Sequence, residues 1–226
     1  MTPEDLRAML GDINAVMQSD LLALWRALDG QDVEFLRDAL QAELPAVVDP
    51  YLSAAGDVTA DWYESQAPEL SFVASPAPLP PQAQLETTAR WAAGTVLTKT
   101  AVTPLDLLSG SMQRALFDES RRTVLDNVEA EPGAKWARYA SANACPFCRM
   151  VATRGDVYTS ESAAGGYGSK YHDHCRCLAV AVRPGKSYDP PSYVEDWQAE
   201  YTRARQAADG NDAKSILSAW RKLQPE

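Results

Sequence analysis

Residues 3–28, PEDLRAMLGDINAVMQSDLLALWRAL, decide the class of fold. Leu6, Leu10, Ile13, Met17, Leu21, Leu24 and Leu28 recur at intervals of three and four, the spacing that lines up side chains on one stripe of an α-helix. Thr2 stands where it can cap the first turn, and Pro3 takes the first helical position. Glu4 and Asp5 sit at the positive end of the helix dipole, and Asp29-Gly30 supplies a stop. The spacing predicts a helix of about seven turns.

The same period continues outward. A second run starts near Asp32 with Phe35, Leu36, Leu40, Leu44, Val47, Val48 and Tyr51; Pro45 is expected to kink or restart it, and Pro50 to open a third helix bearing Val58, Trp62 and Tyr63. Residues 71–82, SFVASPAPLPPQ, contain four prolines and read as an extended linker. Beyond it, Leu85, Trp91 and Val96 indicate a helix ending near residues 94–97. Pro104 starts another, with Leu105, Leu108, Met112, Leu116, Val124 and Val128 in register, and Glu131-Pro132-Gly133 ends it. Gly110 inside that helix costs about 1 kcal/mol relative to alanine and is expected to mark a close helix crossing.

After Gly133 the pattern shortens. Trp136, Tyr139, Val157, Tyr158 and the run 178–182 read as strands around a glycine-rich stretch at Gly165, Gly166 and Gly168. Helices return from Tyr193 to about Ala208 and again around Ile216, Leu217, Trp220 and Leu223. The expected chain is mainly α: a helical domain at 1–70, a Pro-rich linker at 71–83 and a second helical unit at 84–133. A small α+β metal-binding module of zinc-knuckle type follows at 134–184, then a helical tail at 185–226.

The 226 residues, 46% hydrophobic and 23% charged, suit a globular chain with a sizeable core and disfavour a disordered or fibrous one. No stretch approaches the roughly 18 apolar residues of a membrane span, and the acidic start is unlike a signal peptide, so the chain is expected to stay in the cytoplasm where it is made. Residues 1–70 hold fourteen acidic against three basic side chains, a net charge of −11, whereas the remainder sums to +1. That acidic third argues against lying on DNA or an anionic membrane; it is a solvated helix face or a surface for a basic protein.

The chemistry is concentrated in one place. Cys145-Pro146-Phe147-Cys148 is followed, after 23 residues, by His172-Asp173-His174-Cys175-Arg176-Cys177, so every cysteine and histidine of the chain falls within 33 residues. A Cys-x-x-Cys turn presents two thiolates on one side of a knuckle, and a second His/Cys pair can close a tetrahedral zinc site. Thiolates on zinc lie about 3.8 Å apart, whereas alternate Cα atoms of a strand lie about 6.5–7 Å apart, so using both Cys175 and Cys177 requires a curled backbone. The set expected is Cys145, Cys148, His172 and Cys175, with Cys177 and then His174 as substitutes. Arg176 is placed either to donate to the site or to form a surface ion pair. A disulfide would need an oxidising environment, a redox Cys-x-x-Cys a βαβ setting, and unrelated core thiols would not gather so closely.

No His-Glu-x-x-His is present, and cysteine-rich ligation points to a closed structural zinc in a segment with few large aliphatics. Ser109, Ser111 and Ser141 lie in no Gly-x-Ser-x-Gly elbow. An HNH-type nuclease would need a helix directly after the second strand, where Arg183-Pro184-Gly185 intervenes. No catalytic residue is assigned.

Cys145 to Met150, Arg154-Gly155-Asp156-Val157-Tyr158 and Tyr171 to Cys177 together resemble the conserved end of Mu F-type minor head proteins of tailed phages, in the actinobacterial phage branch. Val48-Asp49-Pro50-Tyr51, Ala60-Asp61-Trp62-Tyr63 and the Pro-rich break before Trp91 extend the resemblance over residues 30–185. Asp173 stands where that family usually has proline, and the acidic first helix lies outside the match. The resemblance implies a minor capsid protein acting in head morphogenesis, portal-proximal or in the head interior and present in the virion. Its partners would be portal, major capsid or scaffold proteins, with no sequence-specific nucleic acid, no membrane and several copies per particle. Relatives labelled capsid maturation protease supply the alternative, a peptidase acting on capsid or scaffold proteins.

Overall fold

A computed structural model describes residues 1–97, 102–160 and 171–223. Among these, seven helices and two strands follow in the order α1 (Pro3–Leu28), α2 (Val33–Ser65), α3 (Gln82–Gly94), α4 (Pro104–Ala130), β1 (Lys135–Tyr139), α5 (Pro146–Ala152), β2 (Leu178–Val182), α6 (Tyr193–Ala207) and α7 (Ala213–Leu223). The protein is mainly helical, with its small sheet beside the cysteines. Gly165, Gly166 and Gly168 lie outside the described residues.

α1 begins on the expected signal. Thr2 Oγ1 accepts from the Asp5 N–H, and the Asp5 carboxylate accepts from the Thr2 N–H, which satisfies two donors the helix cannot. Thr103 and Asp106 repeat the arrangement at α4. α1 and α2 run antiparallel, tied at one end by Trp62 Nε1 donating to Thr2 O at 3.1 Å and farther along by Tyr51 and Asp20. Leu6, Leu10, Met17 and Leu21 of α1 are buried with Leu40, Leu44 and Leu52 of α2 and with Leu108, Leu116 and Phe117 of α4 in one core. α3 adds Leu85, Ala89, Ala92 and Ala93, whereas Trp91 stays half-exposed.

The expected break at Pro45 and the new helix at Pro50 do not occur: α2 runs unbroken through both. Each interior proline costs about 3 kcal/mol. Against this, Leu36, Leu40, Leu44, Val48 and Leu52 are buried at every fourth position straight through the prolines, each contributing about 1.5–3 kcal/mol. The carbonyls left without partners belong to Gln41 and Ala46, both of which keep contact with water.

The Pro-rich segment lies along α4. Ser75 N–H donates to Asn127 Oδ1 at 2.9 Å while Asn127 Nδ2 returns a bond to Ser75 O at 2.7 Å, and Ala77 N–H donates to Thr123 Oγ1 at 3.0 Å. β1 and β2 pair antiparallel, Lys135 opposite Val182 and Tyr139 opposite Leu178, and Tyr158 bridges to Trp136 and stacks on it. Arg183, directly after β2 and fully buried, grips Glu131 with Nη2 at 2.7 Å and Nε at 3.0 Å and also donates to the carbonyls of Glu64, Ala67 and Phe72. One guanidinium thus joins the sheet to the ends of α2 and α4.

Gly110 does mark a close approach, of a side chain and not of a helix. A Cβ at this position would lie 2.7 Å from His174 Nε2.

Candidate metal centre

Cys145 is the N-cap of α5 and Pro146 its first residue, so the Cys-x-x-Cys turn is the first turn of a short helix. The second donor group approaches in residues 171–177, just before β2. His174 takes φ +63°, in the left-handed region, and Cys175 N–H closes a turn onto His172 O at 3.1 Å. This is the curl that adjacent use of Cys175 and Cys177 demands.

Five donors form two triads sharing Cys148: Cys145, Cys148 and His172, and Cys148, Cys175 and Cys177. Within each triad the ligand atoms lie within 4.8 Å of one another. Cys148 Sγ and Cys175 Sγ are 3.9 Å apart, close to the roughly 3.8 Å between two thiolates on one tetrahedral zinc and far beyond a disulfide bond of about 2.05 Å. All four cysteines are free thiols; Cys148, Cys175 and Cys177 are buried and Cys145 is partly so. The cluster could hold a metal ion. Of the expected set, Cys145, Cys148 and His172 share one triad, while Cys175 meets Cys148 in the other together with Cys177; the His174 ring lies against Gly110 instead.

The thiols perturb one another. A hydrogen bond from Cys148 is the largest influence on Cys145, lowering its pKa to about 5, and Cys148 likewise pulls Cys175 well below the ordinary thiol range. Cys148, the group shared by both triads, is pushed strongly upward by the same contacts. A cation at the centre of these sulfurs would hold them as thiolates. His172 Nδ1 donates to Asp173 O at 2.7 Å, the main cause of its raised pKa. That bond takes Nδ1 and leaves Nε2 for the Cys145 thiol or for an ion, as in a histidine oriented by a carbonyl.

Two buried arginines flank the sulfurs. Arg138, fully buried in β1, donates from Nη1 to Cys148 Sγ at 3.4 Å. Arg121 of α4, 2% exposed, donates from Nε to Cys177 O at 2.9 Å and from Nη2 to Cys175 O at 2.7 Å, so it holds the curl. The two guanidinium groups cover opposite faces of Tyr171, 3.8 and 3.6 Å from its centroid.

Motif spacing does not reveal these arginines. The only cue is that Arg121 follows Phe117 by four and precedes Val124 by three, on the buried stripe of α4. Arg176, the arginine inside the motif, is exposed, with Nη2 near Gly11 of α1. Ser109 donates its hydroxyl to Gln18, and among the described residues Ser109, Ser111 and Ser141 form no hydrogen bond to either histidine.

No helix among the described residues is long and apolar enough to cross a membrane. No curated protein and no solved structure matches the chain. The family model of the VG15 protein matches residues 2–204, which takes in all four helices of the body, the strap along α4 and the whole cysteine cluster, and the chain belongs to the VG15 protein family.

Proposed function

We propose that the chain is a structural protein of a tailed-phage head that acts in head morphogenesis, and that zinc closes its cysteine module as a structural staple. The observation that carries the structural reading is where the sulfurs face. Cys148, Cys175 and Cys177 are buried against the guanidinium groups of Arg138 and Arg121 and the curled backbone that Arg121 holds, with Cys145 at the edge, partly exposed. The cleft of about 420 Å³ beside them is lined by Tyr171 and Arg121 but by none of the cysteines. A catalytic zinc keeps an open position facing substrate, with a base beside it. Thiolate-rich ligation favours zinc over harder divalent ions.

The phage role rests on the Mu F-like residues at 145–177, and it makes portal, major capsid or scaffold proteins the partners, inside the virion. The acidic N-terminal third, net −11 over residues 1–70, suits a basic surface on one of them.

Interrupting the gene in the phage that encodes it, and supplying the chain from a plasmid, tests this. Without the chain, heads should be aberrant or empty; with it, purified particles should contain it by mass spectrometry. Normal heads without it, or particles that lack it, would overturn the reading. Ser109→Ala, Ser111→Ala and His174→Ala should leave processing of capsid and scaffold proteins intact, whereas loss of processing in a folded variant would establish the peptidase.

A further inference from the structure

Five donors compete for the four positions of a tetrahedral ion, and the surroundings discriminate among them. We propose that the ion is held by Cys145, Cys148, Cys175 and Cys177, with His172 outside the ligand set as a neighbour of Cys145, and with Arg138 and Arg121 as the positioning residues of an all-thiolate site. This rests on the reading that the cluster binds a metal ion.

Three observations carry it. Cys148, Cys175 and Cys177 already form a buried all-sulfur triad, and the pair that seemed hardest to combine, Cys175 and Cys177, is held together by Arg121 through both of their carbonyls. The local charge points the same way. Arg121 is answered by Asp118 Oδ1 at 2.6 Å, whereas Arg138 donates directly to Cys148 Sγ, a bond that strengthens as the sulfurs carry more charge: −2 on a divalent ion with four thiolates, against −1 with three and an imidazole. Finally, His172 is the exposed member of the five, where water competes for its nitrogen, and it reaches both Asp173 O and the Cys145 thiol.

X-ray absorption at the zinc edge, on the full chain purified under reducing conditions with one equivalent of zinc, reads the ligand set without any substitution. Four sulfurs near 2.3 Å with no nitrogen shell near about 2.0–2.1 Å are expected. One nitrogen and three sulfurs would overturn the all-thiolate set and leave the metal reading intact. Failure of the wild-type chain to retain zinc against dialysis, with four titratable thiols, would overturn the metal reading itself. In competition with a chromophoric chelator, His172→Ala should retain one equivalent of zinc and Cys177→Ser should not; the reverse result sinks the proposal. Arg138→Met should weaken zinc binding about 10–100-fold, as loss of an outer-shell partner does, with Arg138→Lys weakened less. Unchanged affinity in Arg138→Met would remove its role.

Discussion

Helices α1–α4 and the cysteine module are built from opposite materials. The helical body packs leucines, alanines and aromatic rings, with Leu6, Leu10, Leu40, Leu44 and Leu52 entirely out of contact with water. The module, β1, α5, β2 and the turn before β2, buries Cys148, Cys175 and Cys177 beside Arg138, with Arg121 and Arg183 pressed into its borders. Apolar burial is non-directional and tolerates changes of partner. A cluster of thiols and guanidinium groups holds only when every charge is answered. The difference teaches that the two regions should fail under different insults, although they share one continuous core.

The largest separation should come from Cys148→Ser, which removes the sulfur common to both triads. On the proposed zinc staple, metal-binding energy is folding energy for the module, about 10–16 kcal/mol in small zinc domains. Hydrogen exchange should show residues 135–139, 146–152 and 178–182 losing protection while α1 and α2 keep theirs. Uniform protection, or uniform loss, would erase the contrast. A chelator acting on the wild-type chain should reproduce the same pattern.

Next in size is the joint. Arg183→Met leaves Glu131 buried, with the Tyr63 hydroxyl its one remaining side-chain donor among the described residues, and breaking a buried pair from one side costs about 3–5 kcal/mol. The denaturant midpoint should fall accordingly with zinc content unchanged, and adding Glu131→Gln should recover part of the loss. A cost near zero would mean that Arg183 does not couple the two regions.

The helical body has one comparable weak point. Glu119 of α4 is 1% exposed and its Oε1 has no hydrogen-bond partner; burial pushes its pKa up to about 7, Asp126 and Asp118 add to this, and Arg122 opposes it. The folded state therefore takes up this proton at higher pH than the unfolded chain, whose glutamate titrates near 4.5. A raised pKa stabilises below the unfolded value and loses that contribution as pH rises through the folded one, so stability should decline between about pH 4.5 and 7 and level off above. Glu119→Gln should flatten that slope and raise stability at pH 8 by about 2–3 kcal/mol. A parallel pH profile in the variant would contradict it.

What could be read in advance divides along the same line. The start of α1 is written in Thr2, Pro3 and Asp5, and α4 in Thr103, Pro104 and Asp106, because caps are local. The donor cluster was legible because ligand spacing is also local, but the curl was not: spacing said only that Cys175 and Cys177 would need one, and the left-handed turn at His174 supplies it. The unbroken course of α2 was not, since whether Pro45 ends a helix depends on how well Leu40, Leu44 and Val48 are buried by other elements. Nor were the arginines: Arg121 meets the carbonyls of Cys175 and Cys177 across more than fifty residues of chain, and Arg183 meets Glu64 across more than a hundred.

The smallest effect tests the seam between the regions, where His174 rests on Gly110. Replacing glycine by alanine inside a helix ordinarily gains about 1 kcal/mol, but here the new Cβ would lie 2.7 Å from His174 Nε2 and 3.0 Å from its Cε1. A core contact this close would cost about 1–3 kcal/mol, but His174 is exposed and the tip of its ring can turn aside, so Gly110→Ala should forfeit the helix gain and come out near neutral. In a His174→Ala background the same substitution should become stabilising, because the obstruction is gone and only the helix propensity remains. A coupling of that sign would place His174 in packing between α4 and the turn that carries Cys175, and zinc content should stay at one equivalent in both variants. If His174→Ala lost the ion, the ring would belong to the metal site, and the boundary between an apolar body and an ionic module would have to be redrawn through Gly110.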